Sequence, residues 1–246
     1  VTEMPLAFAD AVDKVESLTR VFAEVAEEVV DEARLGQPVP TCTGWRIGDL
    51  VDHLATIHRW AADALGAEHA PPRAERPADA DLVRWYRTSA ERLVDALRAA
   101  GPDAPAWTLW GDRVAGFWAR RQLHETAVHL FDLLNAFRYG DQWHLDADLA
   151  LDGIREILEG FYPRQVRLGR SSALPGVVRF EVTHDGGDAP TVLESPAVGD
   201  GPHAGSALGT VTGTAADVYL GLWGRQPLRG CSQELAETLR AAKLTP

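Results

Sequence analysis

Cysteine is scarce in this 246-residue chain: Cys42 and Cys231 are its two, far apart and in no Cys-x-x-Cys arrangement. Neither a disulfide framework nor a thiolate zinc site is indicated, and a reducing cytoplasm fits such usage. Lysine is equally rare, Lys14 and Lys243 standing among abundant arginine, a bias associated with GC-rich genomes. Basic charge is short overall: 24 Lys and Arg face 36 Asp and Glu, for a net charge of −12 and a pI of about 5.1. That balance argues against a nucleic-acid or anionic-membrane surface, which needs basic patches. Small molecules or proteins are the expected partners. No apolar run approaches the roughly 20 residues that span a bilayer. The opening "VTEMPLAFADAVDKVESL" carries acidic residues where a signal peptide has a basic segment and a long apolar one. A cytoplasmic protein is expected.

What the chain does have is apolar content, 46%, enough for two domains. Leu6 to Ala33 places Phe8, Val12, Val15, Leu18, Val21, Phe22, Val25 and Val29 at a helical period. Further helices are expected over about Arg46 to Leu65, Asp79 to Ala100 and Asp112 to Arg138, separated by Pro- and Gly-containing breaks. Four such helices make an up-and-down bundle the economical architecture for residues 1–144. Residues 145–246 read differently. A helix from about Ala147 to Tyr162 leads into "VVRFEVTH", "PTVLES" after the turn "DGGD", and "SALGTVTG", whose branched and aromatic residues near a period of two predict antiparallel strands. Thr214 with Asp217 then opens a helix that Gly224 closes, and Ser232 to Ala242 forms the last. The expected fold class is α+β, a helical bundle followed by a small α+β domain with an antiparallel sheet.

The segment "RRQLHETAVHLFDLL", Arg120 to Leu134, has the His-Glu and trailing His of an H-E-x-x-H zinc helix, but with different spacing. His124 and His129 are five apart, about 140° from each other on a helix, and cannot share an ion. Glu125 and His129 are four apart and converge. Arg121, Glu125, His129 and Asp132 form one polar stripe between apolar shoulders, a pattern that a solvated face or an inward-facing site would both produce. In the second helix, Leu50, His53, Ile57 and Trp60 make the seam expected to face the neighbouring helices, and His58 on the adjacent shoulder competes with His53 as a ligand. One histidine from that helix with Glu125 and His129 gives three nitrogen or oxygen ligands and an open position, the pattern of catalytic zinc. Neither cysteine is placed by the sequence to complete the site, which leaves that position to an external donor.

The segments "VPTCTGWRIGDLVDHLATIHRW", "WARRQLHETAVHLFD" and "TGTAADVYLGLWGRQP" resemble the mycothiol-dependent maleylpyruvate isomerase family, in order and over nearly the whole chain. The resemblance implies a DinB-like metal-binding bundle joined to a C-terminal domain similar to sterol carrier proteins. It implies His53, Glu125 and His129 as ligands of a divalent ion, zinc by preference, and so selects His53 over His58. It implies that Arg225, from "LWGRQP", reaches the active site and holds a substrate carboxylate; capping of the preceding helix would be its other role. The implied cofactors are the metal and mycothiol, and the implied partner is a small electrophile, with the chain a monomer or weak homo-oligomer. A metal-bound thiolate would serve either cis-trans isomerisation of maleylpyruvate-like substrates or S-transfer to an electrophile. Two other readings share the metal: a non-catalytic small-ligand-binding module, and a hydrolase that uses the ion to activate water with Asp132 nearby as base or as a partner orienting a ligand.

Overall fold

The computed structural model describes residues 6–28, 32–184, 189–198 and 205–246. The chain divides into two compact units, one ending at Trp143 and the other beginning at His144. No helix among the described residues is long and apolar enough to cross a membrane.

The first unit is built on α1 (Phe8–Glu28), a single turn α2 (Glu32–Leu35), α3 (Ile47–Ala64), α4 (Leu82–Ala100) and α5 (Ala115–Ala136). Local chemistry sets the ends. Asp49 accepts the Arg46 N–H at 2.8 Å at the start of α3, and Asp81 accepts the Arg84 N–H at 2.8 Å at the start of α4. Gly101, at φ +74°, ends α4 where a side chain would be strained. Helices α1 and α4 each bury one stripe, including Val12, Val15 and Phe22 on α1 and Tyr86, Leu93 and Leu97 on α4. Helix α5 is buried on nearly every side, as befits a helix that contacts α1, α3 and α4.

The order around the bundle differs from the order in the chain. Helix α4 lies between α1 and α3, and α5 closes the ring between them on the other side. A plain up-and-down ring would make chain neighbours spatial neighbours throughout; here only α3 and α4 are strongly packed consecutive helices. The loops before and after that pair are long enough to cross a diagonal. The α3–α5 contact positions the site described below.

In the second unit α6 (Ala147–Arg155) runs through a wide π turn (Glu156–Phe161) into α7 (Tyr162–Arg167). Pro163 lies just beyond, and its missing N–H cannot serve the regular α ladder there. Strands β1 (Val177–Thr183), β2 (Thr191–Glu194) and β3 (Ala207–Thr214) form one sheet in the order β2-β1-β3. Val178, Phe180 and Val182 of β1 are fully buried, with outward residues between them. The β1–β2 pair is antiparallel, as the alternation suggested, whereas β3 pairs parallel to β1, so the sheet is mixed. The chain leaves β2 at one edge and returns as β3 at the other, a choice that alternation does not encode. The turn "DGGD" lies outside the described residues. Thr214 Oγ1 accepts the Asp217 N–H at 3.2 Å and starts α8 (Ala215–Leu222), which packs on α6. Ser232 likewise caps α9 (Gln233–Ala242).

Candidate metal centre

The polar stripe of α5 faces inward. Arg121 is 2% exposed, His129 6% and Asp132 0%. From α3, His53 reaches across so that its Nε2 lies 3.1 Å from Glu125 Oε1. One turn along α5, His129 Nε2 lies 3.5 Å from the same oxygen. Each of the three residues offers a ligand atom, and these atoms all lie within 4.8 Å of one another. For tetrahedral bonds of about 2.0–2.1 Å, ligand atoms on one ion sit roughly 3.3 Å apart. The separations of 3.1 and 3.5 Å straddle that value, so the cluster fits a divalent ion.

Two of the three are held by a further hydrogen bond. Asp132 Oδ2 accepts from His129 Nδ1 at 2.8 Å, which fixes a proton on that nitrogen and leaves Nε2 facing Glu125. Arg121 Nη2 donates to Glu125 Oε2 at 2.6 Å. Burial by itself would raise the Glu125 carboxyl, but the charge of Arg121 and the hydrogen bonds from His129 and His53 hold it well below its ordinary 4.5. Burial opposes a charge on His129, yet its bonds to Asp132, Cys42 and Glu125 raise it well above 6.5.

The loop before α3 supplies a wall. Its backbone is pinned by Trp45 N–H to Cys42 C=O and by Val39 N–H to Trp45 C=O, both at 2.9 Å. The Trp45 ring then lies 4.7 Å from the His53 ring and 6.0 Å from that of His129. Cys42 Sγ donates to Asp132 Oδ2 at 3.2 Å. A cysteine thus stands beside the cluster, a placement the sequence does not show. It lies on the Nδ1 side of His129, in a second grouping of Cys42, His129 and Asp132, rather than beside Nε2 with His53 and Glu125. The contributions of Cys42 and Trp45 went unread in the sequence because a loop has no period to place them, although both sit in "VPTCTGW" just ahead of α3.

The competing histidine has another situation. His58 is 0% exposed and its Nδ1 lies 2.7 Å from Gln122 Oε1. Burial pushes its pKa down to about 4, so it is neutral near pH 7. His53, with a side chain 25% exposed, is the more open of the two. The helical seam predicts His53 inside and His58 on a shoulder; in the structure His58 is the buried one and His53 the more exposed.

Arg225 belongs to the second unit, just past α8. Its backbone N–H bonds Leu220 C=O at 2.8 Å while Gly224 takes φ +71°, a left-handed helix end. Its Nη1 donates to Trp223 C=O at 2.8 Å.

Comparison with known proteins identifies the two domains and the fold. The mycothiol maleylpyruvate isomerase N-terminal domain matches residues 15–134, and the MDMPI C-terminal domain matches residues 148–237. Among solved structures, the mycothiol-dependent maleylpyruvate isomerase aligns over 92% of both chains at 16% identity, with a TM-score of 0.60. A histidine-to-alanine mutant of that enzyme aligns over the same shares at the same identity, with a TM-score of 0.63. At this identity the likeness speaks for the fold. No curated protein matches the chain significantly. Two domain matches in order, spanning most of the sequence, together with the shared fold, place this chain in the mycothiol-dependent maleylpyruvate isomerase family.

Proposed function

We propose that this chain is a metal-dependent enzyme that uses mycothiol to isomerise maleylpyruvate or a similar small cis-unsaturated acid. The observation that carries the reading is the convergence of His53 Nε2 and His129 Nε2 on one oxygen of Glu125, at 3.1 and 3.5 Å. Two imidazoles and one carboxylate oxygen leave a coordination position for an outside donor. A zinc or similar ion held there would lower the pKa of an external thiol, so that it could serve as thiolate nucleophile at neutral pH.

The chain's own groups have separable tasks. His53, Glu125 and His129 would hold the ion, and Asp132 keeps His129 in the tautomer that presents Nε2. Trp45 covers the two imidazole rings on one side and limits water there. Arg225 is the proposed carboxylate-binding group, its planar guanidinium suited to a two-point contact. Rotation about the former double bond followed by loss of the thiol gives isomerisation with no net consumption of thiol. Release of the adduct instead would give S-transfer. Asp132 is bonded to His129 Nδ1 and to Cys42, on the side of the ring away from Nε2, which counts against its use as a base in hydrolysis.

The test is turnover of maleylpyruvate by metal-loaded protein with and without mycothiol. Activity is expected only with thiol, and chelation should abolish it. Equal turnover without any thiol would defeat the proposal. Arg225→Lys keeps the charge but loses the fork, and it is expected to raise KM for the acid at least tenfold with metal content unchanged. Parent-like KM would remove Arg225 from the site.

A further inference from the structure

The edge of the His129 ring turned away from Glu125 carries a second set of donors. Cys42 Sγ, His129 Nδ1 and an oxygen of Asp132 all lie within 4.8 Å of one another. The thiol and the ring N–H donate to the same oxygen, Asp132 Oδ2, at 3.2 and 2.8 Å. Protons on sulfur and on nitrogen thus converge on one oxygen, and the lone pairs left by their removal converge there as well.

The sulfur is delivered by a loop tied through its backbone. Cys42 N–H bonds Val39 C=O at 3.0 Å, and Trp45 N–H bonds Cys42 C=O at 2.9 Å. Helix α5 presents the other two donors, His129 and Asp132, both buried, while Cys42 is half-buried and gives a way in from solvent. For tetrahedral bonds of about 2.3 Å to sulfur and 2.0–2.1 Å to nitrogen or oxygen, sulfur and oxygen sit roughly 3.5 Å apart, and nitrogen and oxygen roughly 3.3 Å. The present separations of 3.2 and 2.8 Å are shorter by about half an ångström or less, which a small rotation of the carboxylate supplies. Sulfur is what distinguishes this set from His53, Glu125 and His129. An ion must displace two protons here, and strong bonding to thiolate offsets that. Cadmium, mercury(II) and copper(I) hold thiolate more tightly than zinc does.

We propose that Cys42, His129 and Asp132 form a second metal site, for a soft thiophilic ion, that shares the His129 ring with the first centre: Nε2 faces one site and Nδ1 the other. The site stands on its own donors and does not require the first centre to be filled. The full chain, freed of metal, is titrated with cadmium chloride. The ultraviolet charge-transfer band of a cadmium-bound thiolate is followed, and bound cadmium is counted by elemental analysis.

The parent is expected to develop the band, Cys42→Ser to lose it, and Cys231→Ser to keep it. His53→Ala should keep it too, because the first centre is lost and the second is not. Asp132→Asn should bind cadmium at this site at least tenfold more weakly. No band in the parent, or a band of parent size in Cys42→Ser, would overturn the proposal. So would loss of the band in His53→Ala, which would make the sulfur a ligand of the first ion. Parent-like affinity in Asp132→Asn would mean binding by the thiol alone and would overturn it equally. If Asp132→Asn does not fold, NMR coupling between bound cadmium and the His129 Nδ1 nitrogen of the parent decides: its presence supports the site and its absence overturns it. A parent that shows the band while Cys42→Ser binds no cadmium at all would support the second site and overturn the reading of the first.

Discussion

Helices α3 and α5 meet twice through a histidine, and the two meetings differ in every property that governs chemistry. At one, His53 faces the carboxylate of Glu125, 25% exposed and beside a second imidazole. At the other, His58 is fully buried against the amide of Gln122, and the Nε2 atoms of both residues have no hydrogen-bond partner among the described residues. A carboxylate supplies charge and an oxygen ligand; an amide supplies one neutral hydrogen bond. Burial then drives His58 to neutrality, while His53 keeps a path to solvent. The same residue type on the same helix pair is thus a polar core contact in one place and a candidate ligand in the other, and the partner rather than the histidine makes the difference.

Breaking the first pair should have the larger effect. Glu125→Ala removes the shared ligand and the carboxylate facing the buried Arg121. Loss of one partner from a buried ion pair costs on the order of 3–5 kcal/mol. Urea denaturation should show a drop of that order, with metal lost in elemental analysis; retention of both would contradict the geometry.

The second pair is exposed by pH. The folded pKa of His58, about 4, lies below its ordinary 6.5, so the unfolded chain takes up a proton first as pH falls. Stability that is complete above pH 6.5 is therefore lost between 6.5 and about 4, roughly 3 kcal/mol at 1.36 kcal/mol per unit. His58→Gln should not suffer that loss. The difference in unfolding free energy between parent and variant, followed from pH 7 to 4, should move toward the variant by about this amount. A constant difference would mean that His58 is not buried neutral.

The smallest effect is expected at the contact behind the ligands. Asp132→Asn keeps a group opposite His129 Nδ1 but lowers the basicity it confers, and partners of metal-bound histidines typically contribute about 10–100-fold in affinity. Competition with a chelator should show a loss in that range, with one ion per chain still bound at saturation. An unchanged affinity would leave Asp132 a purely structural residue.

Much of this site was legible because helices have a period. The spacing of Arg121, Glu125, His129 and Asp132 between apolar shoulders puts them on one stripe that could face solvent or the bundle, and the structure turns it inward. The two histidines of α3 were harder. Their seam assignment assumed one buried direction, but α3 packs on both α4 and α5, which buries His58 as well as Leu50, Leu54 and Ile57. Loop contacts such as Cys42 to Asp132, 90 residues apart, carry no periodic signal. The parallel entry of β3 is likewise a matter of which edge the chain returns to, and alternation records only that a strand exists.

The central claim is that His53 and not His58 completes the metal centre. Elemental analysis of purified His53→Ala and His58→Ala, each checked for retained helix content by circular dichroism, tests it most directly. The account predicts one divalent ion per chain in the parent and in His58→Ala, and almost none in His53→Ala. Full occupancy in His53→Ala would contradict it.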